Sequence, residues 1–311
     1  MGTRAVKPSR HPVLLFLQLS RPFFLLGGIL LYGLGAAIAA YLGERIDVGL
    51  YLLGQGLITS IQLMTHYLNE YYDVGADRSN PERTFFTGGS GALGEGALPR
   101  RAALYGAVGC LVIAAGLASA LIGIEGVSAV AWLILVASAL AAFFYSVPPV
   151  RLLSTGFGEL TTSILVGGLV PTFSFALQTG EMHRLLLMST VPLASLHFAM
   201  LLVFELPDWP ADLRSGKRTL VVRLGWAGGM RLHDTALLLA YASLFVAVLS
   251  GMPPRVGIGA LLALPLALVQ VWQLRRIRGG SNPRWFTVEL NAVALFALTA
   301  YLELVGFLIP G

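Results

Sequence analysis

Cysteine is nearly absent: one residue in 311, Cys110. That excludes a disulfide framework and a thiolate metal site, and Cys110, set in an apolar run, reads as a small packing group. Charge is scarce as well. Asp, Glu, Lys and Arg make up 12% of the chain, about half the share of an ordinary soluble domain. Low-complexity linkers and any separate polar domain are missing too. A water-soluble globule is thereby excluded, and what fills the deficit is apolar: 56% hydrophobic residues and a mean hydropathy of +0.76.

Runs of about 20 apolar residues, the length that crosses a bilayer, lie at 22–42, 48–68, 102–123, 128–147, 160–178, 185–205, 234–251, 256–275 and 287–309. The expected fold is all-α: one integral membrane domain over 1–311, a bundle of nine transmembrane helices. Two pseudo-repeated four-helix halves make up its first eight spans. The net charge of +5 does not signal nucleic acid. With the N-terminus placed in the cytoplasm, only Arg45, Arg184 and Arg255 of the 21 basic residues fall outside, which is the positive-inside pattern. Residues 1–21 then form a cytoplasmic segment, and 69–101 and 206–233 are long cytoplasmic loops. Val13–Leu19 is too short and too abruptly followed by Arg21-Pro22 to be a signal peptide. Gly27-Gly28, Gly33, Gly35, Gly116 and Gly167-Gly168 are expected where helices approach closely.

The two long loops carry one pattern twice. D-x3-D-x5-R-T occurs at Asp73, Asp77, Arg83 and Thr84, and again 135 residues later at Asp208, Asp212, Arg218 and Thr219. On a helix, Asn69, Asp73 and Asp77 rise about 6 Å and turn about 40° per step, so they share a face; Gly75 leaves the last step open. Pro207 and Pro210 predict a break that puts Asp208 near a helix start. Aspartates gathered round one cavity resist ionisation unless cations neutralise them. Two Mg²⁺ and a diphosphate satisfy that need, with Arg83, Lys217 and Arg218 on the remaining phosphate oxygens. Such a site favours heterolysis of a C–O bond to diphosphate.

With N-E-Y-Y-D-V-G-A-D at 69–77, E-L-P-D-W-P-A-D-L-R-S-G-K-R-T-L-V-V-R-L-G at 205–225 and nine spans, the chain resembles the UbiA family of intramembrane aromatic prenyltransferases. Thr87-Gly-Gly-Ser-Gly91, Tyr145–Arg151 and Gly156–Glu159 are most similar to the 1,4-dihydroxy-2-naphthoate (menaquinone) branch. The resemblance implies a polyprenyl diphosphate bound through two Mg²⁺ on Asn69, Asp73, Asp77, Asp208 and Asp212, and a small aromatic acceptor that attacks the allylic cation. In that branch the attacked carbon carries a carboxylate, which leaves as CO₂. It also implies a tail tunnel opening sideways into the bilayer and an active site on the cytoplasmic face of the cell membrane. Departures are Glu70, where Asp is commoner, and Leu152-Leu153-Ser154, where the ubiquinone branch has basic residues.

Other residues carry open alternatives. Tyr145 is an interfacial anchor or a catalytic cation stabiliser, and Glu159 orients or deprotonates a ring hydroxyl. Arg151, Arg21 and His66 are candidates for the acceptor. His197 is expected in packing, as are Phe143, Phe144 and Phe204, whose π faces are the alternative shield for a carbocation. Gly89–Gly94 matches G-x-G-x-x-G without a βαβ context, so a dinucleotide site is rejected in favour of a glycine loop over the diphosphate. The rival from another class is an ion-coupled transporter, whose acids would sit at the membrane midplane. Rivals within the family are haem, chlorophyll and ether-lipid prenylation.

Overall fold

The computed structural model describes residues 11–78, 80–93 and 98–309. Residues 1–10 of the expected cytoplasmic segment and Gly94 of the glycine loop lie outside the described residues. Among those described there is no strand. A short helix, α1 (Pro12–Leu19), precedes nine helices long and apolar enough to cross a membrane. These are α2 (Pro22–Tyr41), α3 (Val48–Arg78), α4 (Arg100–Ile122), α5 (Ala129–Ser146), α6 (Gly158–Thr179), α7 (Arg184–Ser215), α8 (Leu220–Leu249), α9 (Pro254–Arg278) and α10 (Trp285–Leu308).

Local signals set the ends. Pro12, Pro22 and Pro254 open their helices, where the missing N–H costs nothing. Ser128 and Thr219 side chains accept the free N–H groups of Ala131 and Val222, the ordinary N-cap arrangement. Gly180 and Gly216 end α6 and α7 with φ of 75° and 74°, the left-handed cap that favours glycine.

Side chains such as Leu238, Phe245, Val246 and Leu249 on α8, and Leu111, Val112 and Ile113 on α4, are exposed over whole helix faces. So broad an apolar surface requires lipid, and the protein is a multi-pass membrane protein. Inside, Leu34, Leu193, Val203, Val221 and Ala300 form a continuous core. Part of the glycine expectation is met. A Cβ on Gly35 would fall on the Pro171 carbonyl, and one on Gly167 would press the Ala194 backbone, whereas Gly27, Gly116 and Gly168 face open space.

Two expectations are corrected. Helix α7 runs without a break through Pro192, Pro207 and Pro210, so Asp208 lies mid-helix. Pro210 has no N–H for the Leu206 carbonyl, but the Trp226 indole N–H donates to that oxygen at 3.1 Å. A neighbouring donor of this kind lets a membrane helix carry proline. Secondly, 206–233 is no long loop: only 216–219 separates α7 from α8, and the irregularity sits at Gly225, with φ 71° and ψ 164°. At the other cluster, α3 continues through Gly75 to Arg78.

Candidate active site

The C-terminal ends of α3 and α7 meet at one end of the bundle and flank a cavity of about 530 Å³. Asn69, Asp73 and Asp77 line it from α3, and Asp208 and Asp212 from α7. Lys217, in the turn after α7, ties the two sets together. Its Nζ lies 2.8 Å from Asp73 Oδ2 and 3.4 Å from Asp212 Oδ1. Burial opposes charge on this amine, yet Asp73 and Asp212 outweigh it and hold its ammonium above the ordinary lysine range. Arg151 pairs with the other oxygen of Asp73 at 2.8 Å, and the Asn69 amide donates to Asp73 Oδ2 at 3.3 Å. Asp208 accepts from Asn80 Nδ2 at 2.6 Å.

Of the residues proposed for catalysis and acceptor binding, Tyr145, Glu159, Arg21 and His66 line the same cavity. Glu159 Oε1 accepts the Leu220 N–H at 2.8 Å, and Glu205 Oε2 accepts the next one, Val221, at 3.1 Å. Both carboxylates thus face the positive end of α8. Arg21 Nε stands 3.3 Å from Glu70. His66 Nδ1 lies 3.3 Å from the Ser20 carbonyl, with its ring edge-on to Phe24. Arg83, Arg151 and Arg218 do not line the cavity. Arg83 donates to the Ser90 carbonyl, and the Arg218 side chain is exposed.

Below the acidic mouth the walls turn apolar, with Ile58, Val166, Met200 and Phe296. Leu26 of α2 and Val293 and Ala297 of α10 line the cavity as well, and Leu26 is 58% exposed. His197, set among these residues, has its Nδ1 3.2 Å from Ser163 Oγ and its ring against Phe296. The result is a polar, bi-acidic mouth over an oily chamber.

The UbiA prenyltransferase family pattern matches residues 29–298. The chain belongs to the UbiA prenyltransferase family. Two curated relatives, from Bacillus subtilis and Mycobacterium tuberculosis, are both named 1,4-dihydroxy-2-naphthoate octaprenyltransferase. The first is 27% identical over 75% of this chain and 73% of its own length, the second 29% over 74% and 75%. Among solved structures, an Archaeoglobus fulgidus UbiA homologue bound to GPP and Mg²⁺ shares the fold. It has a TM-score of 0.64 at 13% identity, over 93% of this chain and 99% of that one. A digeranylgeranylglyceryl phosphate synthase gives 0.63 at 16%, over 96% and 99%. This UbiA chain is accordingly a prenyltransferase enzyme with the all-helical fold of its family.

Among the described residues no three acidic or histidine side chains already close round one point; Lys217, Arg151 and Asn80 hold the carboxylates instead. The donor set of this UbiA site still suits a hard cation. Mg²⁺ takes one or two carboxylates and fills its remaining positions with water and phosphate oxygens, so a complete protein cage is not required. Glu205, which the sequence offers as the nearest analogue of an extra ligand three residues before Asp208, lines the cavity too, and Asn80 joins the site without having been singled out. Asn80 gives no such signal, because its partner lies 128 residues away.

Proposed function

We propose that this UbiA enzyme transfers a polyprenyl group from its diphosphate to 1,4-dihydroxy-2-naphthoate, with loss of CO₂, at the cytoplasmic face during menaquinone synthesis. The observation that carries the reading is Lys217 bridging Asp73 and Asp212, two acidic clusters at the mouth of one apolar chamber. The names of the two curated relatives support the acceptor. The Mg²⁺ and GPP bound by the Archaeoglobus homologue support the metal and the diphosphate.

Asn69, Asp73 and Asp77 on one side and Asp208 and Asp212 on the other would hold two Mg²⁺. When bound, the metal supplies positive charge for the departing diphosphate. Lys217 exchanges a carboxylate for a phosphate oxygen and retains its charge. The allylic C–O bond breaks and its electron pair leaves with the diphosphate. The ring carbon bearing the carboxylate then forms the new C–C bond, and the C–COO⁻ bond breaks to restore the aromatic electron pair as CO₂ departs. Glu159, beside the Glu205 carboxyl, accepts from a ring hydroxyl and raises the electron density of the ring. Tyr145, beside Glu159 and Thr162, and the face of Phe204 flank the cation. The prenyl tail lies along Ile58, Met200 and Phe296 and leaves past Leu26 into the bilayer.

The test uses purified protein in lipid nanodiscs with Mg²⁺, a radiolabelled polyprenyl diphosphate and a panel of acceptors. Prenylated product with dihydroxynaphthoate, accompanied by stoichiometric CO₂, is expected. Product formed instead from haem, a chlorophyll precursor or a glycerol ether would overturn the branch.

A further inference from the structure

Between α3 and α4 the chain crosses the cavity mouth as a strap, residues 80–91. Its inner edge touches both acidic clusters. Asn80 donates to Asp208 at 2.6 Å, and the Gly88 N–H faces the same carboxylate. Gly89, with φ 75°, packs so closely on Asp77 that any Cβ would strike its carboxylate. The strap therefore contacts both clusters, Asp208 through Asn80 and Gly88 and Asp77 through Gly89.

Two buried acids outside the D-x3-D pattern hold the strap from opposite sides. Glu289 of α10, 0% exposed, accepts the Thr87 hydroxyl at 2.8 Å and faces Thr84 as well. Glu70 of α3, 3% exposed, accepts the Ser90 N–H at 2.6 Å on one oxygen and the Ser90 hydroxyl at 2.8 Å on the other. The Ser90 carbonyl is gripped in turn by Arg83 at 2.5 Å and Gln18 at 2.6 Å. Phe86 is stacked between Phe204 and Phe286, 5.8 and 5.9 Å away. Burying a carboxylate is costly unless it is bonded; Glu289 spends its bonds on this one segment, and Glu70 bonds it through both oxygens while Arg21 Nε stands 3.3 Å from Oε1. Glu70 stands about 60° round the helix from Asp73 and about 20° from Asp77, at the edge of the acidic face, but both its oxygens are taken by Ser90.

We infer that Glu70 and Glu289 are positioning residues, which suspend the strap so that it fixes the separation of the two acidic clusters and thereby the geometry offered to the metal–diphosphate headgroup. The inference rests on the proposed function for the identity of that headgroup. A purely structural role would lower stability and impair both substrates alike. A positioning role acts on the headgroup alone.

The test takes the full chain in nanodiscs as wild type, Thr87→Val, Thr87→Ser, Glu289→Gln, Glu70→Gln and the Thr87→Val/Glu289→Gln pair. Binding of Mn²⁺ with inorganic pyrophosphate is read by electron paramagnetic resonance, which needs no turnover. Thr87→Val is expected to weaken that binding by about 10- to 100-fold, the usual cost of losing a group that orients metal ligands, and Glu70→Gln by a similar factor. In Thr87→Val, KM for the prenyl diphosphate rises in step while KM for the acceptor stays constant. Thr87→Ser restores both constants, and the double variant loses less than the two single losses combined, because the two residues share one bond while Glu289 also faces Thr84. Unchanged Mn²⁺ binding in Thr87→Val and Glu70→Gln would overturn the inference, as would an equal loss in Thr87→Ser. A wild-type protein that binds Mn²⁺–pyrophosphate but prenylates no aromatic acceptor would sink the proposed reaction while leaving this comparison intact.

Discussion

Lys217 and Arg218 are adjacent, both basic and both in the second acidic segment, yet only Lys217 reaches the cavity. Lys217→Met is expected to raise KM for the prenyl diphosphate by about 10- to 100-fold, matching the roughly 1.5–3 kcal/mol of a hydrogen bond to a charged group. Arg218→Ala, at an exposed side chain, should alter kcat/KM by no more than about twofold. Steady-state kinetics on both variants separates them. Asp73→Asn or Asp208→Asn should reduce turnover by about 10³-fold or more, since several kcal/mol of metal-borne charge stabilisation is lost. Thermal unfolding in nanodiscs should stay cooperative, and retained activity in either variant would refute the ligand assignment. At this scale the sequence exposes residues that repeat. Asp73, Asp77, Asp208 and Asp212 stand out because their spacing recurs. Asn80 and Glu289 do not, because their meaning depends on partners 128 and 202 residues away.

At the scale of helices, α7 shows how a neighbour preserves an element that local rules would end. The Leu206 carbonyl, deprived of its partner by Pro210, is served by Trp226 across the turn into α8. Trp226→Phe keeps an aromatic ring beside Trp209 and Trp285, 6.4 and 5.6 Å away, but orphans that carbonyl. A loss of about 1 kcal/mol is expected, measured by denaturant unfolding in mixed micelles. In a Pro210→Ala background the residue-210 N–H is available again, so the same substitution should cost much less. Equal costs in the two backgrounds would show that the indole donor does not support the helix. The nine apolar runs locate the spans because lipid demands length and hydrophobicity, and both are written locally. The ends of α3 and α7 are less legible: Gly75, Pro207 and Pro210 are local breakers whose effect is decided by what packs beside them. A similar exchange occurs in α6, where Pro171 has no N–H for Gly167 and the turn before it widens to a π-helix over Ile164–Leu169.

For the whole molecule, the distribution of charge gives an orientation that the bundle itself does not carry. The acidic mouth and the 80–83 turn lie at one end, and the short connection between α6 and α7, with Glu181 and Arg184, lies at the other. The proposed cytoplasmic side of the mouth rests on the positive-inside pattern of the sequence; a soluble aromatic acid and Mg²⁺ would reach it from there. The sole cysteine makes this directly measurable. Cys110 is buried, so the native chain supplies little background for thiol labelling, whereas Glu82 and Glu181 are exposed. In intact cells a membrane-impermeant maleimide should label Glu181→Cys and spare Glu82→Cys; permeabilised cells should label both. The reverse pattern would put the diphosphate site on the outer face. A substrate supplied from the cytoplasm could not then reach it, and the proposed menaquinone role would fail even though the prenyltransferase fold stands.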